Sequence, residues 1–442
     1  MIHASDHGGR SRKALLAGLA GRIAGGTFVV LAAGALSVPA GAVASVVLRV
    51  CPTGCQYDQI QPAVDAAAPG DTIAVGPGIY TGGIVIAKSL TVRGSGAADT
   101  VITGGGPVIT VSGGQVVIRG VTVADGDSAA DGGGILNTGT LTLTRATVTG
   151  NSAGGSGGGL ANTGTTARAH VSKTRFVANT AALDGGGIED RDSAHLTLRS
   201  DSVRKNSASA GGGIEVAGAA SATGRDVTVS RNTSDLGGGI IVVGAMLRLR
   251  CSAIRGDDAT ESGFGGGIEI AGFRHGPTAI VAVMGSTVTG NSAGTGGGVD
   301  VESNSRTTFA HDIVSRNTAS ADGGGIATDS ARSATLRLAN TRVTGNVSDG
   351  DGGGIYNSGV ARGGIAVTTK LTDDKVNANS AARDGGGIYN DVGGSAAFDN
   401  KTNVNRNKAQ AGGGVYVAGG NVALNGATVR ANNPDNCEPT AC

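Results

Sequence analysis

The chain has 442 residues, of which 81 are glycine and 2% are aromatic, and its formal net charge is +1 at pH 7. This composition excludes a helical repeat protein, which needs runs of Ala, Leu, Glu and Lys with a 3.6-residue apolar period. The near-neutral charge lacks the basic footprint of a nucleic-acid-binding protein, so no nucleic-acid partner is expected.

Residues 1–44 differ in composition from the rest of the chain and predict a signal peptide. A basic start at residues 10–13 precedes an apolar stretch over residues 23–38 and a small-residue site at residues 42–44, which is the order of segments in an export signal. A retained membrane anchor is the alternative, but the apolar stretch is shorter than the about 18 residues that a spanning helix needs. We therefore expect cleavage after Ala44, a secreted or cell-surface protein, and no transmembrane segment in the mature chain.

Residues 45–94 predict an N-terminal cap and the first coils of a repeat fold. Residues 59–68 predict a short amphipathic helix, because Ile60, Val64 and Ala67 share one helical face, and residues 56–70 are predicted to form the cap. A first strand is predicted directly after this helix. Such a cap is expected because the open end of a repeat array exposes strand backbone and apolar core.

Two marks recur within residues 95–432. The first is a Gly triplet followed by one aliphatic residue, and it occurs eleven times at intervals of 25 to 33 residues. The aliphatic positions are Ile135, Leu160, Ile188, Ile214, Ile240, Ile268, Val299, Ile326, Ile355, Ile388 and Val415. The second mark is an apolar residue with Asn three places on, and Asp257 replaces the Asn once. The asparagines are Asn151, Asn179, Asn206, Asn232, Asn291, Asn317, Asn346, Asn379, Asn407 and Asn432.

A period in this range predicts a stacked solenoid in which each repeat forms one coil. Apolar residues spaced two apart, such as Leu141 and Leu143, indicate strands, so each coil has three short strands joined by turns. The fold class is therefore all-β, a single-stranded right-handed parallel β-helix with a short N-terminal capping helix, the hand following the general preference of parallel crossovers. Coils should stack at about 4.8 Å, and residues 433–442 form a C-terminal tail.

Both marks have structural reasons in this fold. Asn tolerates the left-handed backbone of turns, and stacked asparagines can pass amide hydrogen bonds from coil to coil as a ladder. Each glycine costs roughly 1 kcal/mol of backbone freedom, so recurrent triplets predict either positive φ or walls too close to admit a Cβ.

Five cysteines fall at three places in the predicted rod. Cys51 and Cys55 lie near one end, Cys437 and Cys442 lie at the other, and Cys251 stands alone between them. Because export permits disulfides, we predict the bonds Cys51–Cys55 and Cys437–Cys442 and a free thiol at Cys251. Bonds between the two ends are excluded, since bridged Cα atoms must lie within about 7 Å.

The residue after each aliphatic position should point outward, because side chains alternate across a strand. These residues form a column whose acidic members are Glu189, Glu215, Glu269 and Asp300. Carboxylates on adjacent coils repel each other. A bound Ca²⁺ ion would relieve this repulsion, and so would neighbouring Lys or Arg side chains or solvation by water. Ca²⁺ bound by these four residues is therefore the single cofactor that the sequence suggests. Paired carboxylates also suit glycoside hydrolysis, but nothing in the sequence marks a desolvated pocket, so no catalytic residue is assigned.

The same column ends in Tyr356, Tyr389 and Tyr416, three of only five tyrosines in the chain. A row of stacked rings is either a sugar-binding face or a brace that stiffens the last coils by offset stacking. The structural interpretation is favoured, because the chain has no Trp and only 2% aromatic residues.

The paired marks resemble the polymorphic outer membrane protein repeats, whose signature joins a GGA[ILV] element to FxxN. Here the first element reads GGG[ILV] and the second is usually VxxN, with Phe only at Phe176. The resemblance covers about residues 130–432, and residues 56–94 are similar to the start of pectin-lyase-like right-handed β-helix proteins. This family resemblance implies a surface-exposed or secreted protein, and some members of the family are adhesive.

These observations predict a secreted or cell-surface repeat protein, non-enzymatic and adhesin-like, whose partner is a surface or matrix component, with polysaccharide among the candidates. The alternative is a polysaccharide lyase or hydrolase with the pectin-lyase-like fold. An enzyme of that kind would carry long loops at matching coil positions to build a cleft. The intervals of 25 to 33 residues allow only modest loops.

Overall fold

The computed structural model describes residues 45–273, 276–330, 333–359 and 367–439. Over these residues the chain winds into a right-handed parallel β-helix of about 15 coils, which confirms the predicted fold class. The predicted signal peptide, residues 1–44, lies outside the described residues. Within the described ranges, no helix is both long enough and apolar enough to cross a membrane.

Each coil adds one strand to each of three long parallel sheets. Sheet 1 has 15 strands: Val47–Val50, Thr72–Val75, Leu90–Arg93, Gln115–Arg119, Thr140–Thr144, Arg168–Ser172, His195–Arg199, Ser221–Arg225, Met246–Arg250, Ala279–Met284, Ser305–Ala310, Ala334–Ala339, Val367–Thr372, Gly394–Ala397 and Asn421–Ala423. Sheet 2 has 14 strands: Gly78–Thr81, Thr100–Thr103, Thr122–Ala124, Thr147–Thr149, Arg175–Val177, Ser202–Arg204, Thr228–Ser230, Ala253–Arg255, Thr287–Thr289, Ile313–Ser315, Arg342–Thr344, Lys375–Asn377, Asn403–Asn405 and Thr428–Arg430.

Sheet 3 contains the residues that follow the Gly triplets. It has 14 strands: Ile84–Ile86, Ile109–Val111, Ile135–Asn137, Leu160–Thr163, Ile188–Arg191, Ile214–Ala217, Ile240–Val243, Ile268–Ala271, Val299–Val301, Ile326–Ser330, Ile355–Gly359, Ile388–Asn390, Val415–Val417 and Cys437–Glu438. Between sheets 2 and 3, short strands form two smaller parallel sheets: Asp127–Ser128, Ser152–Ala153 and Thr180–Ala181, and then Thr233–Leu236, Asp258–Phe264, Ser292–Ala293, Thr318–Ala319, Val347–Ser348 and Ser380–Ala381.

The core follows from strand alternation and exact stacking of equivalent positions. In the strand Thr140–Thr144, Leu141 and Leu143 are fully buried, whereas the three threonines that alternate with them are half-buried on the outer face. Leu141 pairs with Val116 of the preceding coil and Ala169 of the following coil. Apolar residues therefore form columns, and these columns merge into one core that extends through the rod.

The N-terminal end carries the helix Ile60–Ala66, whose apolar face packs on the first coils. The first strand is Val47–Val50, which precedes the helix, so the prediction that strands begin after the helix is wrong. This strand pairs in parallel with Thr72–Val75. Leu48 and Val50 extend the apolar columns of sheet 1, and this burial compensates for the short length of the strand.

The disulfide Cys51–Cys55 is confirmed, with its Cα atoms 5.4 Å apart. It closes the turn that directly follows the first strand. Cys437 is also disulfide-bonded, but its predicted partner, Cys442, lies outside the described residues. Cys251 is an exposed free thiol, as predicted.

The predicted asparagine ladder is present and buried. The Nδ2 and the backbone N–H of Asn206 both donate to Oδ1 of Asn232, each at 3.0 Å, and Nδ2 also donates to the carbonyl oxygen of Phe176 at 3.3 Å. The same three bonds are made by Asn151, Asn179, Asn291, Asn317, Asn346, Asn379 and Asn407. Each rung thereby satisfies buried backbone groups that would otherwise be unpaired.

Asp257 interrupts this ladder chemically. Its Oδ1 accepts from both nitrogens of Asn232 at 2.8 Å, but its Oδ2 has no hydrogen-bond partner. Oδ2 takes the place of an amide nitrogen: it lies 2.9 Å from a Cβ built on Gly239, just as Nδ2 of Asn291 lies 2.8 Å from one built on Gly267. Because that position faces acceptor oxygens in the other rungs, it suits a protonated acid, and burial raises the pKa of Asp257 to about 7.

A second inner ladder was not predicted. In sheet 3, Nδ2 of Asn137 donates to Oδ1 of Asn162, and Nδ2 of Asn162 donates to Oδ1 of Asp190, both at 2.6 Å. Further along, Nδ2 of Asn357 donates to Oδ1 of Asn390 at 2.6 Å. All of these residues stand two places after an aliphatic position. The recurrence of Asn at that spacing is therefore the sequence signal that could have revealed this ladder.

The three glycines of a triplet have distinct roles. Gly296 has a φ of +61°, and a Cβ on it would lie 2.8 Å from Cβ of Asp300. A Cβ on Gly297 or Gly298 would approach backbone oxygens of the next coil to 2.3 and 2.5 Å. Both predicted reasons are confirmed, since positive φ applies to the first glycine and lack of room applies to all three.

Replacing Asp257 by Asn should complete the asparagine ladder and stabilise the protein at high pH. Because the pKa of Asp257 is raised from 3.8 to about 7, the folded protein retains a proton that the unfolded chain releases, and stability falls as the pH rises through this range. Above about pH 8 we expect the variant to gain roughly 1–3 kcal/mol in unfolding free energy, because this is the cost of leaving a buried acceptor unpaired. Near pH 4 the gain should be smaller. Urea denaturation at both pH values measures the difference.

The matched control is Asn346→Asp, which places an acid in an equivalent rung. It should destabilise the protein, and more strongly at high pH than at low pH. Equal unfolding free energies for Asp257→Asn and wild type at high pH would contradict the protonated rung.

Candidate functional site

The residues that follow the aliphatic positions lie on the outer face of sheet 3 and form one line, here called the outer column. The outer column consists of Leu136, Ala161, Glu189, Glu215, Ile241, Glu269, Asp300, Ala327, Tyr356, Tyr389 and Tyr416. Strand register places Glu189 beside Glu215 and Glu269 beside Asp300. The structure therefore brings the predicted acidic residues together as two pairs, with Ile241 between them.

The acidic part of the outer column lies on the outer face of the strands, as predicted, but it is buried. Glu189 and Asp300 are 0% exposed, and Glu215 and Glu269 are 7% and 4% exposed. The turn at the first glycine of each triplet contributes to this burial, because it places that glycine against the outer-column residue four places on. A Cβ on Gly185, for example, would lie 2.9 Å from Cα of Glu189. Solvation by bulk water therefore cannot accommodate these carboxylates.

The Glu189–Glu215 pair has one cation beside it. Nη1 of Arg191 lies 3.0 Å from Oε1 of Glu189, an ion-pair distance without the alignment of a hydrogen bond, and neither oxygen of Glu189 has a hydrogen-bond partner. Arg191 is also shared with Asp131 and Asp192. Burial raises the pKa of Glu189 to about 8 against the opposing charge of Arg191. Burial and neighbouring carboxylates raise the pKa of Glu215 to about 8 as well.

The Glu269–Asp300 pair has several carboxylate oxygens without a hydrogen-bond partner. Both oxygens of Asp300 and Oε2 of Glu269 have no hydrogen-bond partner. Burial is the main cause that raises the pKa of each well above its usual range, and the nearby charge of Glu302 adds to it. Buried acid oxygens without donors favour the neutral form, which agrees with the direction of both pKa shifts.

The outer column presents its carboxyl groups to a possible metal ion in pairs. Among the described residues, no group of three or more His, Cys, Asp or Glu side chains is placed to hold a metal ion. Calcium prefers six to eight oxygen ligands, which a pair alone does not supply. Calcium binding by Glu189, Glu215, Glu269 and Asp300 stays a prediction.

The tyrosine end of the outer column is stacked, as predicted. The ring centroids of Tyr356 and Tyr389 are 5.4 Å apart with planes 13° from parallel, and those of Tyr389 and Tyr416 are 5.3 Å apart at 10°. Burial raises the pKa of Tyr356 to about 12. Because both faces of Tyr389 are covered by neighbouring rings, a sugar could approach the middle ring only at its edge. This packing favours the brace over the sugar-binding face.

Comparison with known proteins gives one match to a family model. Residues 340–358 match the Chlamydia polymorphic membrane protein (Chlamydia_PMP) repeat. This segment holds one copy of each mark, namely Val343 with Asn346 and a Gly triplet before Ile355. The predicted repeat resemblance is therefore confirmed over these residues. No curated protein matches the chain.

Solved structures with a similar fold include three polysaccharide-acting proteins. The mannuronan C-5 epimerase AlgE6 A-module of Azotobacter vinelandii is 14% identical, with 86% of this chain and 95% of that chain covered and a TM-score of 0.39. The catalytic unit of the GH87 alpha-1,3-glucanase from Streptomyces thermodiastaticus strain HF3-3 is 17% identical, with 91% and 70% covered and a TM-score of 0.49. Pectate lyase Pel9A is 16% identical, with 68% and 78% covered and a TM-score of 0.32. At these identities the similarity concerns the fold alone.

Replacing Glu189 and Glu215 together by Gln should remove a pH-dependent loss of stability. Both pKa values are raised from 4.5 to about 8, so the folded protein holds protons that the unfolded chain releases. The wild-type melting temperature should therefore fall as the pH rises from about 5 to about 8.5. The double variant should show a distinctly smaller fall, measured by calorimetry.

Glu261→Gln serves as the control, because Glu261 is an exposed acid outside the outer column. Its pH profile should match that of the wild type. A double variant with the wild-type pH dependence would mean that Glu189 and Glu215 are ionised in the folded protein.

Proposed function

We propose that the protein is a secreted or cell-surface β-helix that acts without catalysis and contacts a surface or matrix component through its long repetitive faces. The observation that carries this proposal is the contrast in exposure between the faces of the rod. The acids suited to chemistry are buried in the outer column, whereas sheets 1 and 2 present exposed polar side chains in register.

Sheet 1 illustrates such a face. Thr142 pairs with His170, His170 with Thr197, Thr197 with Thr223, and Thr223 with Arg248. Except for the half-buried Thr142, these side chains are exposed. A surface of this kind offers one contact per coil over many coils, so weak contacts can add up along an extended partner.

An extracellular or cell-surface location has three supports. The sequence predicts a signal peptide over residues 1–44, and residues 340–358 match a repeat of membrane proteins. The disulfide Cys51–Cys55 suits an oxidising compartment outside the cytosol.

Detection of the protein in the cells that produce it tests this location. An antibody against the chain should label intact cells or detect the protein in the medium, and N-terminal sequencing should begin at Ser45. A matched version lacking residues 2–44 should remain inside the cell. Recovery of the full chain from the cytoplasm with residues 1–44 attached would contradict the proposal.

Polysaccharide lyase or hydrolase activity is a second candidate function, and one observation favours it. Glu189 and Glu215 have pKa values raised to about 8, which would keep a general acid protonated at neutral pH. Both side chains are buried, so a substrate would reach them only if the structure around them opened.

Assays on uronic-acid polymers and glucans, with and without Ca²⁺, separate the two candidates. We expect no unsaturated product and no new reducing ends above the rate of a Glu215→Gln variant. Product that forms with the wild type and is lost with Glu215→Gln would favour the enzyme. The exposed Glu261→Gln variant controls for a general effect of losing one acid.

A further inference from the structure

The outer face of sheet 2 carries a shallow groove of about 730 Å³ lined by arginines. Five arginines line it: Arg175, Arg204, Arg231, Arg255 and Arg316. All five are exposed, and the remaining lining residues are serines, threonines and glycines. We call this surface the arginine groove.

Strand register distributes the arginines along the rod. Arg175 and Val177 share one strand, and Val177 pairs with Arg204 on the next coil. Arg204 pairs with Ser230, which precedes Arg231, and Ser230 pairs with Arg255. Four consecutive coils therefore each contribute one guanidinium group to the groove.

The series continues after one interruption. Thr289 of the following coil pairs with Arg255 on one side and with Ser315 on the other, directly before Arg316. The groove thus spans five coil steps of about 4.8 Å, or roughly 24 Å. A linear polymer that lies along the rod axis would meet positive charge at nearly every step.

The arginines of the groove lack acidic partners. Within the described part of the chain, the ion pairs involve Arg191, Arg225 and Arg383, and none involves an arginine of the groove. Two of the groove arginines donate instead to threonine hydroxyls of the preceding coil: Arg175 to Thr147 at 3.1 Å and Arg316 to Thr289 at 3.5 Å. Repeated like charges without counter-charges repel one another, and a polyanion would relieve this repulsion.

The chemistry of the groove selects among polyanions. Guanidinium groups bind carboxylate and sulfate groups through paired N–H donors, and the threonine and serine hydroxyls can bond to sugar hydroxyls. Binding of single-stranded nucleic acid relies on aromatic side chains that stack on bases, and insertion into a membrane surface relies on apolar ones. The lining residues include neither aromatic nor large apolar side chains.

We propose that the arginine groove binds a linear acidic polysaccharide, with its chain along the rod axis and its acidic groups on successive guanidinium groups. This inference deepens the proposed function and rests on it, because it names the class of partner that the exposed face contacts. It places the contact on sheet 2, on a different face from the buried acids of the outer column.

Binding of the purified chain to polygalacturonate and to dextran sulfate tests the groove. The wild type should bind both and should not bind neutral dextran, with an affinity that falls as salt increases. The triple variant Arg204→Gln, Arg231→Gln, Arg255→Gln should lose about tenfold or more in affinity, since each exposed charge contact contributes modestly, and its salt dependence should become shallower. Biolayer interferometry with biotinylated polysaccharide gives both quantities.

The matched control is Arg168→Gln, Arg306→Gln, Arg337→Gln, which removes the same charge from exposed positions of sheet 1. It should retain most of the wild-type affinity, and both triple variants should keep the wild-type melting temperature. Equal loss of affinity in the two variants would overturn the groove as a site. Tighter binding to a poly(dT) oligonucleotide or to phosphatidylserine vesicles would overturn the assignment to polysaccharide.

Failure of this inference differs from failure of the proposed function. Loss of arginine dependence would leave an extracellular location untouched, because the location is measured on producing cells. Conversely, a protein found in the cytoplasm that still binds polygalacturonate through Arg204, Arg231 and Arg255 would contradict only the proposed location.

Discussion

In-register stacking of coils is the constraint on which the rest of the structure depends. Each strand of the three long sheets pairs with its equivalents in the coils before and after it, so every side chain meets its counterpart one repeat away. The buried asparagines illustrate this constraint. The backbone N–H and the Nδ2 of Asn206 both donate to Oδ1 of Asn232 on the next coil, and Nδ2 also donates to the carbonyl oxygen of Phe176 on the preceding coil. The same constraint explains the Gly triplets, since a Cβ on Gly297 would collide with backbone of the next coil.

Stacking also amplifies any departure from the repeat. A single acid in a ladder of amides, Asp257, leaves one oxygen without a donor and takes a raised pKa. In the outer column, burial raises the pKa values of Glu189 and Glu215, on adjacent coils, to about 8. On the outer face of sheet 2, where no segment covers the strands, the same amplification gives a row of exposed guanidinium groups. The chain thus carries buried acids with raised pKa values on sheet 3 and exposed arginines on sheet 2.

Much of the fold and part of the candidate site were predictable from the sequence. The ladder positions, the grouping of Glu189 with Glu215 and of Glu269 with Asp300, and the tyrosine stack all follow from the repeat length. The first strand, Val47–Val50, was missed because it lies outside the repeats and its pairing partner comes after the helix. The arginines of sheet 2 were missed because they occupy different positions within their repeats, so no single spacing marks them.

The sequence by itself determined which residues share a column, because a period near 28 residues admits one way of stacking like upon like. Only the tertiary structure decided which columns reach solvent. Strand alternation shows that Glu189 points away from the core, but not that the turn at Gly185 packs against it and that its side chain is buried. The burial of the acids sets their raised pKa values, and the exposure of the arginines leaves them free for contact. Both depend on how chain segments from different parts of each coil pack against the sheets. Side-chain periodicity carries no information about that packing.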